Sequence, residues 1–445
     1  MSEIKMNWQH LYANHIDRVS QLFEKAMTLA DVEGVVIFSG KPKSAFLDDT
    51  YYPFKANPFF KWWVPLSNLP QSVVIIKPGE KPQLVYFMPQ DFWHVTPEPP
   101  AGYWVDSFNL TIINKVEALK NVLPANLEQL AFLGEETQLA AEWGIGQVNP
   151  VNLVNYLSYH RAYKTDYEQQ CLILANQIAM KGHNAAIAAF QQQQSELEIH
   201  LAFLKACGHQ EAYAPYNNIV ALNEHGAVLH YDHYQSISPQ QHLSLLVDAG
   251  ASFSGYIADI TRTTSAVESG LFNQLVEKLD QAQQRIIQQI KKGMDYAVLH
   301  DQMHQRIAVI LTELEIVNTT ADACYEQQLT RSFFPHGLGH LIGLQTHDVG
   351  GWQQDEQGTL LNAHPDYPFL RLQRPITERM AFTIEPGIYF IDLLLEQLSS
   401  VQKKLINWSV VDALKPYGGV RIEDTVIVQQ QGTHNITRDA FTEAD

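Results

Sequence analysis

The amino-acid sequence predicts an α+β protein of two domains, and three observations indicate this. The first half alternates helix-like and strand-like runs, as a small α/β domain does. The second half opens with a long helical pattern and continues mainly with strand-like runs. A capping-box pattern at Thr165 and Glu168 marks the start of a helix between the two halves. We therefore predict an N-terminal α/β domain over residues 1–160 and a C-terminal α+β domain over residues 161–445.

The predicted N-terminal domain consists of a helix-like segment and four apolar runs that end in turn residues. The helix-like segment covers residues 10–31. The runs, which we interpret as strands, are GVVIFSG (34–40), SVVIIKPG (72–79), QLVYFMP (83–89) and LAFLGEE (130–136). Between the first two runs lies the aromatic segment FLDDTYYPFKANPFFKWWVP (46–65). Its pattern fits either a packed surface loop or a loop that faces a substrate or a partner chain.

The predicted C-terminal domain opens with a helix over residues 165–192 and a second helix from Ser195. Strand-like runs dominate from residue 216 onward, interrupted by helical patterns near 270–291 and 297–316. This order of elements is typical of an α+β domain.

Composition places the chain among ordinary globular proteins, since 46% of its 445 residues are hydrophobic and 18% are charged. The formal charge of -18 argues against nucleic acid or an anionic membrane surface as a partner, because both are bound by basic patches. Three scattered cysteines predict a reducing compartment without a disulfide framework. The first residues lack an apolar signal-peptide core, and no run of about 18 apolar residues follows. We expect a cytoplasmic protein.

Four carboxylates of the second half lie in strand-like runs where a buried strand would normally hold none. Asp248 lies in LSLLVDAG and Asp259 in GYIADITRTTS, and the glycine-bounded link GASFSG predicts a hairpin that brings both to one face. Glu385 lies in MAFTIEPGIYF and Glu423 in GGVRIEDTVIV. A buried carboxylate is costly unless it is paired or bound to a metal. One such residue is ordinarily a strand end that reaches solvent or pairs with arginine, whereas four together indicate a site.

The segment FFPHGLGHLIGLQTHDVGG (333–351) holds three histidines and five glycines. His336 and His340 have the i, i+4 spacing of a zinc-protease helix. Gly337 and Gly339 between them each cost a helix about 1 kcal/mol relative to alanine. We therefore favour a glycine-shaped loop that contributes to the same site as the four acids.

Four carboxylates with one neutral imidazole would balance the charge of two divalent cations. Oxygen-rich ligands with one imidazole suit manganese, although cobalt, iron and zinc also fit. Two such ions lower the pKa of a shared water and polarise a carbonyl, which is hydrolytic chemistry. The histidines that bind no metal, with His230 in AVLHYDH, remain for holding substrate and transferring protons. A lone histidine such as His230 is, however, more often structural.

In their order along the chain, five of these residues resemble the metal ligands of the pita-bread metallopeptidases, which include methionine aminopeptidase, aminopeptidase P and prolidase. The five are Asp248, Asp259, His340, Glu385 and Glu423. Within that family the chain is most similar to the bacterial prolidases (Xaa-Pro dipeptidases) and to their relatives, the organophosphorus acid anhydrolases. The similarity covers nearly the whole chain and rests on FLDDTYYPFKANPFFKWW, HRAYKTDYE, YNNIVALNEHGAVLHY, PHGLGHLIGLQTHDVGG, TIEPGIYFI and GGVRIED. It implies a C-terminal pita-bread (creatinase/aminopeptidase-like) catalytic domain after a smaller α/β domain that serves in dimerisation and carries a pocket loop.

The resemblance implies hydrolysis of Xaa-Pro dipeptides by a hydroxide that bridges two divalent metal ions per subunit, with Mn²⁺ as the expected metal. Asp248 would chelate one ion, and His340 and Glu385 would hold the other. Asp259 and Glu423 would bridge both ions, and Glu385 would also transfer a proton.

The resemblance also assigns residues that contact the substrate. His230, His336 and His347 match histidines that stabilise the tetrahedral intermediate and contact the leaving proline. Arg371 matches the arginine that binds the terminal carboxylate of a dipeptide. Arg421 matches a family arginine near the site, and its alternative role is charge compensation for Glu423, two residues later.

Tyr216 and Asp49 match residues that line the small pocket of the prolidase-like anhydrolases. The resemblance implies a homodimer in which the N-terminal loop can come from the partner subunit, so Asp49 acts either in its own subunit or in the partner's. It also implies a side activity on organophosphorus triesters and phosphonofluoridates, because a tetrahedral phosphorus centre resembles the tetrahedral carbon intermediate.

Two alternative functions remain open at this point. An aminopeptidase P-like enzyme would act on longer peptides, against which Arg371 argues. A metal-free pita-bread domain would serve only in binding, yet all five ligand positions are filled. The chain departs from its relatives at Glu378 and Arg379, where a Pro-Gly pair is usual, and at Thr425, where many have asparagine. These changes bear on loop geometry rather than on chemistry.

Overall fold

The computed structural model describes residues 6–442, and the chain divides into two units. The first unit holds the chain up to Cys171 together with Gln354–Thr359, and the second holds Leu172–Gln353 and the chain from Leu360 onward. The domain boundary predicted after residue 160 remains a prediction. Within residues 6–442, no helix is both long enough and apolar enough to cross a membrane.

The first unit is built on a mixed sheet of aliphatic strands. Its strands are β1 (Gly34–Phe38), β2 (Val73–Ile76), β3 (Gln83–Phe87), β4 (Asn109–Ile113), β5 (Leu130–Leu133) and β6 (Gln147–Val148). Its helices are α1 (Trp8–Ala30), α2 (Pro58–Trp63), α3 (Leu119–Val122), α4 (Thr137–Trp143) and α5 (Val151–Arg161). The strand order is β4-β3-β2-β1-β5-β6, with the β1–β2 and β2–β3 pairs antiparallel and the other pairs parallel. Trp143 packs edge-on against Phe38 and Phe132, which helps to close the core.

The aromatic segment of the first unit divides into an exposed hairpin tip and a short buried helix, and contact of the tip with a substrate or a partner chain stays a prediction. Its start belongs to a short hairpin in which Ser44 pairs with Tyr51, and Phe46 and Leu47 at the tip are 88% and 90% exposed. Its end forms α2, whose tryptophan side chains are buried. The segment is therefore partly a packed element and partly an exposed loop.

The predicted capping box is confirmed at the start of α6 (Asp166–Gln191). The Thr165 N–H donates to Oε2 of Glu168 at 2.8 Å, and the Glu168 N–H donates to Oγ1 of Thr165 at 3.3 Å. These two bonds satisfy donors that the first turn of a helix otherwise leaves open.

The second unit contains short antiparallel ladders surrounded by helices. Its strands are β7 (Ile219–Leu222), β8 (Ser244–Asp248), β9 (Ser252–Phe253), β10 (Tyr256–Ile257), β11 (Thr261–Ser265), β12 (Ala381–Ile384), β13 (Gly387–Tyr389), β14 (Gly419–Arg421), β15 (Asp424–Val428) and β16 (Thr433–Asn435). Its helices after α6 are α7 (Glu196–Cys207), α8 (Leu271–Gln289), α9 (Tyr296–Glu313), α10 (Ala321–Glu326), α11 (Thr330–Phe333), α12 (Asp392–Glu396), α13 (Ser400–Lys403), α14 (Trp408–Leu414) and α15 (Ile436–Thr442). The sheets have the orders β11-β8-β7, β12-β15-β16, β13-β14 and β10-β9.

The hairpin between the first two acids forms as a ladder with a tight turn. Strands β8 and β11 pair antiparallel with Asp248 opposite Thr261, and β9 and β10 extend the pairing toward the turn. Ser254 and Gly255 at the turn have φ of 49° and 87°. Two successive residues with positive φ are what a tight hairpin of this twist requires.

The turn before β12 contains Glu378 and Arg379, which stand where the proteins that the sequence resembles usually have a Pro-Gly pair. Arg379 has φ of 70°, the left-handed region that glycine occupies without steric cost. Its N–H donates to the carbonyl of Val428 at 2.8 Å, which holds the turn against the end of β15. The chain thus enters β12 through a turn in which an arginine takes a conformation that favours glycine.

Candidate metal centre

The four predicted acids lie at strand ends rather than within strands. Asp248 is the last residue of β8, and Asp259 precedes β11. Glu385 joins β12 to β13, and Glu423 joins β14 to β15. The registers of the β12–β15 and β13–β14 ladders both place Glu385 opposite Glu423. The Glu423 N–H donates to the carbonyl of Thr261 at 3.0 Å. This bond joins the strands that end near Glu385 and Glu423 to the hairpin that holds Asp248 and Asp259.

Asp259, His340 and Glu423 form a buried group in which one ligand atom from each lies within 4.8 Å of the others. Nε2 of His340 lies 3.6 Å from Oδ2 of Asp259 and 4.0 Å from Oε1 of Glu423. It also lies 3.7 Å from Oε1 of Glu385. Oε1 of Glu423 is buried and has no hydrogen-bond partner among the described residues. A buried carboxylate oxygen without a donor fits a position that a cation fills.

His340 presents the nitrogen that a metal requires. Its Nδ1–H donates to the carbonyl of Leu341 at 3.0 Å, which leaves the Nε2 lone pair directed at the acids. Burial lowers the pKa of His340 to about 3, so the imidazole is neutral. A Cβ on Gly339 would lie 2.1 Å from the carbonyl oxygen of Thr383, so only glycine permits this close approach of the loop to β12. Residues 334–351 form no helix, which confirms the predicted glycine-shaped loop.

The carboxylates are crowded enough to resist ionisation. Burial, and then the charge of Asp248, raise the pKa of Asp259 well above its ordinary value. Burial, and then the charge of Asp259, do the same to the pKa of Glu423. Burial raises the pKa of Glu385 to about 8. Like charges held together in a dry site need either shared protons or a bound cation, so the cluster favours cation binding.

Tyr216 and Arg421 contact the carboxylates of the first two acids. The Tyr216 hydroxyl lies 3.1 Å from Oδ1 of Asp248 and 2.5 Å from Oδ1 of Asp259. Nη2 of Arg421 forms an ion pair with Oδ2 of Asp248 at 2.8 Å. The hydrogen bonds between Arg421 and Glu423 run through Thr261, which accepts from Nε of Arg421 and donates to Oε2 of Glu423. Arg421 therefore pairs directly with Asp248, while the charge of Glu423 also helps to raise the pKa of Arg421, so compensation of Glu423 stays a prediction.

Both ring nitrogens of His336 are engaged within the protein. Its Nδ1–H donates to the carbonyl of Gly337 at 2.9 Å, and its Nε2 accepts from the Tyr389 hydroxyl at 2.8 Å. Tyr389 in turn accepts from Nη1 of Arg421 at 2.9 Å. Sequence reasoning did not single out Tyr389, and its only signal was its place four residues after Glu385 in TIEPGIYFI.

The remaining predicted residues of the second unit lie near the group through His347. The ring of His347 packs edge-on against His340 with centroids 4.5 Å apart. His230 and Arg371 are exposed, and both lie near enough to His347 to lower its pKa after the larger effect of burial. Asp49 lies in the exposed hairpin of the first unit, and its part in the site stays a prediction.

Both halves of the chain are similar to domains of known metallopeptidases. Residues 170–430 match Metallopeptidase family M24, and residues 10–159 match the N-terminal domain of Xaa-Pro dipeptidase. The chain is 44% identical over 429 residues to the Xaa-Pro dipeptidase of Pseudoalteromonas translucida, covering 96% of this chain and 98% of the relative. It is 45% identical over 437 residues to the Xaa-Pro dipeptidase of Aeromonas hydrophila, covering 98% and 99%.

Solved structures share the fold at lower sequence identity. Aminopeptidase P from Escherichia coli with the inhibitor Pro-Leu has a TM-score of 0.70 at 19% identity over 95% of each chain. Proline aminopeptidase P II from Yersinia pestis has a TM-score of 0.69 at 19% identity, over 95% of this chain and 96% of that one. At such identities the likeness concerns the fold alone.

Proposed function

The chain belongs to metallopeptidase family M24, and from this premise we propose that it hydrolyses Xaa-Pro dipeptides with divalent metal ions held by the buried acids. The resemblance to Xaa-Pro dipeptidases that the sequence indicated is confirmed by the relatives of 44% and 45% identity. The predicted fold class, a pita-bread domain after a smaller α/β domain, is confirmed as well. The observation that carries the metal-dependent chemistry is the buried Oε1 of Glu423, which has no donor within residues 6–442 and lies 4.0 Å from Nε2 of His340.

We propose that the five residues of the predicted ligand set hold two metal ions, with Mn²⁺ as the preferred ion. The five are Asp248, Asp259, His340, Glu385 and Glu423. The neutral Nε2 of His340 and the raised pKa values of three of the acids support this, because cations would relieve that repulsion. The oxygen-rich donor set supports manganese over softer metals. When bound there, such ions would supply a water that is nucleophilic at neutral pH and a Lewis acid for the scissile carbonyl.

Substrate binding and the transfer of a proton to the leaving group fall to side chains of this protein. Glu385, whose Oε1 lies 3.7 Å from Nε2 of His340, can take a proton from the attacking water and pass it to the leaving proline nitrogen. Arg371 is exposed beside the centre, where its guanidinium can bind the terminal carboxylate of a dipeptide. His347 and His230 line the same space, while His336 is fixed by Gly337 and Tyr389.

We also propose that the protein is a cytoplasmic homodimer. In it, Asp49 contributes to the substrate pocket, either of its own subunit or of the partner subunit. The exposed Phe46 and Leu47 at the tip of the hairpin support a contact with another chain. Hydrolysis of organophosphorus compounds is a proposal that rests on the family resemblance alone.

A direct test combines metal analysis with substrate length. Purified protein loaded with Mn²⁺ and then desalted should retain about two ions per chain and hydrolyse an Xaa-Pro dipeptide much faster than the matching Xaa-Pro tripeptide. Equal rates on the two peptides would identify an aminopeptidase P-like enzyme instead. Fewer than one tightly bound ion per chain, together with no hydrolysis, would identify a binding module.

Replacing His347 with alanine should separate catalysis from metal binding. The variant should keep the full metal content and lose turnover by about 10²- to 10⁴-fold, the usual contribution of a proton-transferring group. Metal content by elemental analysis and kcat on a dipeptide are the two measurements. His94→Ala, a change at an exposed histidine of the first unit, is the control. Loss of metal from the His347 variant would show that this histidine is a ligand.

Replacing Arg371 with alanine should mainly weaken dipeptide binding. A hydrogen bond to a charged group contributes about 1.5–3 kcal/mol, so KM should rise about 10- to 150-fold with a smaller change in kcat. The variant should also lose the preference for a free carboxylate over a C-terminal amide. Arg331→Ala, which breaks a surface ion pair with Asp366, is the control. An unchanged preference in the Arg371 variant would assign the carboxylate to another residue.

A further inference from the structure

Glu196, the first residue of α7, is a buried carboxylate with four hydrogen bonds. Its Oε1 accepts from the Leu222 N–H at 2.9 Å and from Nδ1 of His225 at 2.7 Å. Its Oε2 accepts from the Tyr231 hydroxyl at 2.8 Å and from the Gln235 N–H at 2.9 Å. All four donors belong to residues 222–235, the segment that carries His230, and they lie on both sides of that histidine.

We propose that Glu196 is a positioning residue that fixes the His230 segment (residues 222–235) beside the metal centre. This inference rests on the proposed function, because it gives Glu196 an effect on the reaction only through His230. Glu196 is 1% exposed, and its four hydrogen bonds go to residues 222–235 and not to the ligand group. Its place at the start of α7 suits a negative charge, because the helix dipole is positive at that end.

The chemistry of the four partners requires a carboxylate. Two are backbone N–H groups, one is a tyrosine hydroxyl and one is a ring nitrogen that must carry a proton to bond with a carboxylate. A carboxylate offers only acceptors, whereas an amide would turn its NH₂ toward donors. The rings of His225 and Tyr231 also stack with centroids 4.6 Å apart, so the carboxylate joins two side chains that support each other.

His230 depends on this anchor because it has little else to hold it. Its side chain is exposed, and it has no hydrogen bond among the described residues. It lies next to Tyr231, whose hydroxyl is held by Glu196. A displacement of about 1 Å in a group that acts on the reacting atoms can cost about a hundredfold in rate. Loosening the anchor should therefore lower kcat and leave KM and metal content almost unchanged.

The test is the isosteric change Glu196→Gln in the full-length, Mn²⁺-loaded protein. We expect kcat on an Xaa-Pro dipeptide to fall about 10- to 100-fold, with KM within about twofold. In a His230→Ala background, Glu196→Gln should have almost no further effect on kcat, because the residue through which it acts is gone. Hydrogen exchange of the His230 segment should quicken in Glu196→Gln and not elsewhere in the second unit. If this variant does not fold, Tyr231→Phe, which removes one of the four bonds, replaces it in the same cycle.

Ser195→Ala is the matched control, because it weakens the same helix start through the cap that Ser195 forms with Glu198. It should lower Tm, leave kcat unchanged and leave exchange in the His230 segment slow. Effects of Glu196→Gln and His230→Ala that simply multiply would make Glu196 a structural residue and overturn the proposal. A wild-type protein without dipeptidase activity would instead overturn the proposed function, and the exchange measurement would still report on the anchor.

Discussion

Asp259→Asn should abolish metal binding and dipeptide hydrolysis together. Asp259 lies in the buried group with His340 and Glu423, and Tyr216 already holds its other oxygen. The amide keeps the size of the side chain and can still accept from Tyr216, but it loses the charge that two cations need. Activity should fall by more than about a hundredfold, the upper end of the loss for partners that only orient a ligand. Metal content should fall below one ion per chain.

Unfolding cannot explain that result, because the metal-free variant should be at least as stable as the metal-free wild type. The change removes one acid from a cluster whose charges repel each other. Asp301→Asn is a matched control, since Asp301 lies on α9, outside the cluster, and accepts from the hydroxyls of Tyr325 and Tyr367. An Asp259 variant that kept its metal and lost only turnover would disprove the assignment of Asp259 as a ligand.

The proximity of Asp248 and Asp259, which share the Tyr216 hydroxyl, could be predicted from the sequence because a hairpin is local. A glycine-bounded link between two strand-like runs leaves few ways to place the acids apart. Glu385 and Glu423 could be recognised only as acids in apolar surroundings, and their position relative to the strands was not predictable. Each lies just past a strand end, where one ladder gives way to the next.

The supporting hydrogen bonds could not be predicted, because they join residues that are far apart in sequence. Thr261 and Glu423 are 162 residues apart, and the bond between them exists only in this register. Tyr389 links His336 to Arg421 through a hydroxyl that no spacing rule indicates. Local patterns therefore identified the ligand candidates, whereas the groups that orient them depend on the tertiary fold.

The metal-free protein should lose stability as pH rises from about 7 to 8. The folded-state pKa of Glu385 is raised to about 8, so folding favours its protonated form. That contribution is complete below the unfolded value, about 4.3, and is lost as pH rises through the folded value. His336 and His340, whose pKa values are lowered to about 3, act in the opposite direction only below about pH 6.5, because above it they are neutral in both states. Each extra proton held by the folded state lowers the unfolding free energy by about 1.4 kcal/mol per pH unit.

Bound metal should reverse the sign of this dependence. Cations require ionised carboxylates, so metal binding releases the protons that the metal-free fold retains and strengthens as pH rises. Denaturant unfolding at pH 7.0, 7.5 and 8.0, with a chelator and with Mn²⁺, measures both slopes. Glu385→Gln should flatten the metal-free slope, because an amide does not titrate and one of the protons is gone. Identical slopes in wild type and in this variant would mean that Glu385 is ionised in the metal-free fold and would contradict its raised pKa.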